Sequence, residues 1–124
     1  MNQKNIFTGI AVVLILQGIV FFIIGDKMVS DTFPGQTEEG HRALRLLLEV
    51  PSALSILLGL IAYASRNTAS VLWAFTLGTA VLLAVTLKHM FVDSINVPIP
   101  AVVIQALILL SCAYLWLGKR AASS

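Results

Sequence analysis

The sequence predicts an all-α protein: a four-helix transmembrane bundle with antiparallel neighbouring helices and both termini on the same side of the membrane. Hydrophobic residues make up 58% of the 124 residues and charged residues only 11%, less than half of the roughly 25% found in soluble domains. Such a chain has too few polar side chains to cover a soluble monomer and is too apolar to stay disordered. The third observation is a set of four long apolar stretches.

A helix that crosses the hydrocarbon core needs about 20 mostly apolar residues. Four stretches meet this requirement, at about 6–25, 43–64, 71–91 and 98–118. They account for most of residues 1–124, so we expect a single integral membrane domain with the lipid bilayer as its main partner. The net charge of +2 is too small for nucleic-acid binding, and the one cysteine excludes a disulfide framework.

The first stretch is interpreted as a retained span, because its apolar run is longer than the 7–15 residues of a signal-peptide core. The polar residues 26–42 are expected to form the longest loop, with a turn at Phe33-Pro34-Gly35. Thr37, followed by two glutamates, predicts an N-cap with acidic residues in the first helical turn.

The remaining connections also carry helix-end signals. Residues 65–68 predict a short turn between antiparallel helices, and Pro98 is suited to the first turn of the fourth span because its missing N–H has no role there. The spacings Ser55-x-x-x-Gly59 and Ala74-x-x-x-Gly78 predict close helix packing.

Orientation depends on the distribution of lysine and arginine. One side carries Lys4, Arg66, Lys119 and Arg120, and the other carries Lys27, Arg42, Arg45 and Lys88. The counts are equal, but Arg45 and Lys88 lie within helices rather than loops. We therefore place both termini in the cytoplasm, with the protein in the inner or plasma membrane of a bacterium.

Strongly polar side chains inside the spans all lie in the half of the membrane opposite the termini. Glu49, Gln17 and Gln105 lie about 10–12 Å from that face at 1.5 Å per residue, whereas Lys88 and His89 lie about 5 Å deep. These residues, together with Arg42 and Arg45, are the candidates for a ligand or proton site. No cofactor is assigned.

The second helix carries the main candidate. His41, Arg45 and Glu49 follow each other at intervals of four residues, and Arg42 lies on the same face. An intramembrane carboxylate is costly, so this face is expected to point into the bundle. Glu49 is either functional or a structural anion paired with Arg45 or Lys88. Arginine preceding glutamate is the less favourable order on one helix, which favours Lys88.

Simpler interpretations apply to the other polar residues. Gln17 and Gln105 are expected to hydrogen-bond to each other between helices, and His89 to be a solvated helix end. His41, Glu49 and His89 match no metal-ligand spacing, so no metal site is predicted.

Several short elements resemble the DoxX-like group of small four-helix membrane proteins. The sequence Gly25-Asp26-Lys27-Met28 is similar to the Gly-x-x-Lys-like element that ends their first span. Residues 49–53 and the later Leu58-Gly59-Leu60 are similar to the glutamate, small residues and Leu-x-Gly-Leu of their second span. The resemblance implies a role in a membrane redox complex or in assembly of a larger membrane protein.

Three functions follow. The first is an accessory or assembly subunit that packs against a larger membrane complex or its own copies. The second is a membrane enzyme or a quinone- or lipid-binding redox subunit, since Arg42, Arg45 and Glu49 also echo the second span of membrane glutathione-handling enzymes. The third is a proton-coupled small-molecule transporter in which Glu49 titrates. Whether the protein is an enzyme stays open.

Overall fold

The computed structural model describes residues 2–94 and 97–123, which form helices joined by short connections, with no strand in those ranges. The helices are α1 (Gln3–Thr32), α2 (Glu38–Ala64), α3 (Leu72–Phe91, preceded by the short 3₁₀ turn Ala69–Val71) and α4 (Ile99–Ser123). The predicted four-helix, all-α fold is confirmed. The chain divides into two compact units, residues 1–66 and 67–124, in which α1 packs against α2 and α3 against α4.

All four helices are long and apolar enough to cross a membrane. Each exposes large apolar side chains, such as Ile23 in α1, Leu47 in α2, Val81 in α3 and Leu110 in α4. Exposed apolar surface of this extent is typical of helices that face lipid.

Helix α1 extends about two turns beyond the predicted end of the first span. Residues 26–32, predicted as loop, are helical, because polar side chains support the helix outside its apolar run. Lys27 Nζ lies 2.7 Å from Asp31 Oδ2, and Ser30 Oγ donates to the Asp26 carbonyl at 2.9 Å. The helix ends only where Pro34 follows Phe33.

Helix α2 begins at Glu38, five residues before the predicted span. The predicted cap is confirmed, since the Thr37 hydroxyl accepts a hydrogen bond from the Gly40 N–H at 3.1 Å. Glu38 and Glu39 occupy the first turn, where their negative charges interact favourably with the positive end of the helix dipole. The predicted loop of residues 26–42 therefore shrinks to residues 33–37.

The predicted close packing at Ser55-x-x-x-Gly59 is confirmed. A Cβ atom on Gly59 would lie 2.7 Å from Ile15 Cγ1 and 2.9 Å from the Ala11 carbonyl oxygen. Ser55 Oγ donates to the Leu14 carbonyl of α1 at 2.9 Å. The backbones of α1 and α2 therefore approach closely at this level.

The backbones of α1 and α2 also approach closely at Gly18, about one helical turn further along α1 than Ile15. A Cβ atom there would lie 2.5 Å from the Ser52 carbonyl oxygen and 2.6 Å from Ile56 Cγ1. Gly59 faces residues 11–15 of α1, whereas Ser52 faces Gly18, so α2 runs antiparallel to α1.

Within the second unit, the predicted close packing at Ala74-x-x-x-Gly78 is not formed by the described residues. A Cβ atom on Gly78 would meet no described heavy atom within 4 Å. The buried residues of α3 are Leu72 and Thr76, and Gly78, two residues after Thr76, lies on the opposite side of the helix. On α4, Ile108, Cys112 and Leu115 are buried.

Candidate functional site: a polar cluster between α1 and α2

Arg45 is the centre of a polar cluster that joins α1 to α2. Its Nη2 donates to the Phe22 carbonyl of α1 at 2.6 Å, and its Nε donates to Glu49 Oε1 at 3.1 Å. The same Nε lies 3.7 Å from Asp26 Oδ1. One guanidinium therefore contacts two carboxylates and a backbone carbonyl on two helices.

Gly25 provides the space that this guanidinium occupies. Gly25 is buried, and a Cβ atom there would overlap Arg45 Nη1 and lie 3.2 Å from Leu48 Cδ2. Any side chain at position 25 would push the guanidinium away from α1. Gly25 therefore belongs to the cluster because it lets the guanidinium approach the α1 backbone closely. Its own backbone is ordinary helix, so glycine is not required there for a left-handed conformation.

The cluster is shielded at its centre and open at its edge. The Arg45 side chain is 21% exposed and that of Glu49 40% exposed, whereas Asp26 is 77% exposed. His41 Nε2 lies 3.4 Å from Asp26 Oδ1. Asp26 follows directly on the apolar run of α1, so the cluster lies at the predicted membrane boundary. Within the cluster, Glu49 is on the side that faces the apolar part of the helices.

Two buried polar atoms in this helix pair lack hydrogen-bond partners within the described ranges: Arg45 Nη1 and Gln17 Oε1. In the second unit, Gln105 Oε1 is in the same situation. The predicted bond between the two glutamines stays a prediction. The orphaned Arg45 N–H is the donor that a ligand or bound water would satisfy.

The other predicted site residues lie outside the cluster. Arg42 pairs with Glu38 at 2.6 Å, with both side chains largely exposed. In the second unit, Asp93 lies 3.6 Å from Lys88 Nζ and 2.6 Å from His89 Nδ1. His89 thus has a carboxylate partner at the end of α3 instead of being only solvated.

Glu49 pairs with Arg45 on its own helix, the alternative that the sequence did not favour. The order of arginine before glutamate weakens such a pair by only a few tenths of a kcal/mol. A charge-assisted hydrogen bond contributes about 1.5–3 kcal/mol, so the preference based on residue order is easily outweighed.

The sequence alone does not predict Phe22, Gly25 and Asp26 as members of the cluster. The end of the apolar run at Gly25 instead predicts a loop at Asp26. The signal that indicates helix at Asp26 is the absence of glycine or proline between Asp26 and Pro34, together with the i,i+4 spacing of Lys27 and Asp31. A helix continued to residue 32 places Asp26 opposite the first turns of α2.

In the part of the chain that the structure describes, no three His, Cys, Asp or Glu residues are grouped to hold a metal ion. The chain matches no protein-family model, no curated protein and no solved structure. The function is therefore inferred from the residues themselves.

Proposed function

We propose that this integral membrane protein is an accessory or assembly subunit, packed against a larger membrane complex or its own copies. In this proposal the polar cluster has a structural role, which is to hold α1 against α2. The observation that carries it is the sharing of the Arg45 guanidinium by the Phe22 carbonyl, Asp26 and Glu49.

A catalytic or transporting carboxylate must exchange a proton or a ligand during each cycle. Glu49 is instead held by a cation that also binds the neighbouring helix, so releasing it would loosen the contact between α1 and α2. The helices, meanwhile, expose large apolar side chains along their length. Such surfaces are suited to contacts with lipid and with other membrane helices.

The test replaces Glu49→Gln in the full-length protein and measures thermal stability and co-purifying subunits in mild detergent. We expect a lower melting temperature, because Arg45 loses an ionic partner, and an unchanged set of subunits in unchanged ratio. Glu39→Gln is the matched control, since it removes an exposed carboxylate from the first turn of the same helix. Normal stability of Glu49→Gln, or loss of a subunit at normal stability, would contradict the structural role.

The second candidate is a membrane enzyme or a quinone- or lipid-binding redox subunit. It is favoured by Arg45 Nη1, a buried donor without a described acceptor, beside a carboxylate that is 40% exposed. A ligand carbonyl could accept from that donor. In this case the Glu49→Gln variant would fold normally and would lose a lipid-like ligand that the original protein retains through purification. If the variant instead folds normally but loses proton flux in liposomes, the result would indicate the third function, a proton-coupled transporter.

We also propose that both termini are cytoplasmic, in a bacterial plasma membrane, and that the chain is a DoxX-like protein. The support for the orientation is the short loops and chain ends with Lys4, Arg66, Lys119 and Arg120 and no acid. A reporter active only in the cytoplasm, fused to the C-terminus, is expected to give signal. Signal from a periplasm-dependent reporter would reverse the orientation.

A further inference from the structure

Helix α2 contains a proline, Pro51, well inside its apolar part. Proline has no backbone N–H, so it cannot donate the helical hydrogen bond to the carbonyl four residues earlier, which belongs to Leu47. At 1.5 Å per residue, Leu47 lies about 7–8 Å beyond Arg42 along the helix, within the candidate membrane span. The proline therefore leaves a backbone acceptor without its helical donor at membrane depth.

The two serines that follow the proline donate to other carbonyls. Ser52 Oγ donates to the Leu48 carbonyl at 2.7 Å, and Ser55 Oγ donates to the Leu14 carbonyl of α1 at 2.9 Å. Serine side chains are one of the usual means of satisfying a carbonyl that proline frees in a membrane helix. Here both hydroxyls have other acceptors, so the Leu47 carbonyl stays available to a partner.

The freed carbonyl belongs to an exposed face of α2. Four residues share this face, because they recur at intervals of three and four: Leu47, Pro51, Leu54 and Leu58. All four are exposed, and Leu47 is 67% exposed. Contact with α1 is made from another face, on which Ser52 and Gly59 are buried. The polar cluster around Arg45 is likewise not part of the exposed face.

The missing donor distinguishes the neighbours that could cover this face. Lipid tails have no hydrogen-bond donor, and an unsatisfied backbone carbonyl in hydrocarbon is costly. In a symmetric dimer through this surface the same face would meet itself, and none of its four side chains can donate. A helix of another membrane protein that carries a hydroxyl, amide or indole N–H at this depth supplies the donor.

We propose that this face of α2 docks a transmembrane helix of the larger complex, and that a side chain of that helix donates a hydrogen bond to the Leu47 carbonyl. Leu54 and Leu58 supply the apolar contact around that bond. The inference rests on the proposed role as an accessory subunit and specifies the surface through which the protein joins its complex.

The experiment compares Pro51→Ala with the original full-length protein, each purified in mild detergent with its co-purifying subunits. Alanine restores the backbone N–H, so the Leu47 carbonyl is satisfied within α2 and no longer offers an acceptor. We expect about tenfold weaker retention of the neighbouring subunit, the change that one lost hydrogen bond can produce. The melting temperature of the variant is expected to be no lower than that of the original, because its helix gains a hydrogen bond.

The matched control is Pro100→Ala. Pro100 lies in the first turn of α4, where a backbone N–H has no helical acceptor, so this variant is expected to retain the subunit. A second measurement places p-benzoylphenylalanine at position 54 of the full-length protein in native membranes. We expect it to crosslink to the same subunit, whereas the same probe at position 23 on α1, also exposed, is expected not to.

Unchanged retention of the subunit by Pro51→Ala would overturn this inference and leave the accessory role intact. Crosslinks from position 54 only to lipid or to a second copy of the chain would also overturn it, since they would assign the face to another occupant. If no subunit co-purifies with the original protein, the proposed membership of a larger complex fails, and this inference fails with it.

Discussion

Replacing Gly59 by leucine is expected to lower the free energy of unfolding by about 3 kcal/mol, at the upper end of the usual cost of overpacking. The atoms that a Cβ would meet include the Ala11 carbonyl oxygen at 2.9 Å and the Ile15 backbone nitrogen at 3.2 Å. Backbone atoms cannot rotate away, so α1 and α2 must separate. The measurement is unfolding in mixed micelles of increasing denaturing detergent.

The matched control is Gly118→Leu, because a Cβ at that position would meet no heavy atom within 4 Å among the described residues. Its unfolding free energy is expected to stay within about 0.5 kcal/mol of the original. Gly78→Leu is expected to behave like this control, since its Cβ would likewise meet no heavy atom within 4 Å in the part of the chain that the structure describes. Equal losses at positions 59 and 118 would refute the close approach of α1 and α2.

Arg45→Met is expected to lower the free energy of unfolding by as much as Gly59→Leu, about 3 kcal/mol. The substitution removes the charged hydrogen bond to the Phe22 carbonyl, worth about 1.5–3 kcal/mol, and leaves Glu49 unpaired toward the apolar region. Methionine keeps most of the side-chain volume, so the effect reports on charge and hydrogen bonding. The same unfolding assay measures it.

Arg42→Met is the control for this prediction. Arg42 lies on the same helix one turn earlier, and its pair with Glu38 is exposed on both sides, so its loss is expected to cost less than about 1 kcal/mol. Comparable losses for the two arginines would show that Arg45 contributes no more than a surface charge.

Hydrophobicity was sufficient to predict the number and order of the helices, because four apolar runs of about 20 residues have few other folds available. It could not predict where the helices end. Residues 26–32 and 119–123 continue as helix outside the apolar runs, where polar side chains replace lipid contact as the support for the helix. The cap at Thr37 was predictable because it depends on local hydrogen bonding.

The candidate site was predictable only in part. Glu49 and Arg45 were found because charges inside apolar runs are conspicuous, and their i,i+4 spacing places them on one face. Their partners on α1 were not predictable in the same way, since a backbone carbonyl at Phe22 and a vacant Cβ position at Gly25 have no polar side chain. Such contacts depend on the register between two helices, which the packing at Gly18 and Gly59 determines.

We propose that the Arg45–Glu49 pair stabilises the α1–α2 unit. A double-mutant cycle tests it most directly, with unfolding free energies measured for the original protein, Arg45→Met, Glu49→Gln and Arg45→Met/Glu49→Gln. We expect the double variant to be more stable than the sum of the single losses predicts, with a coupling of about 1–2 kcal/mol. Strict additivity of the two losses would show that the two side chains do not stabilise each other and would contradict this role of the pair.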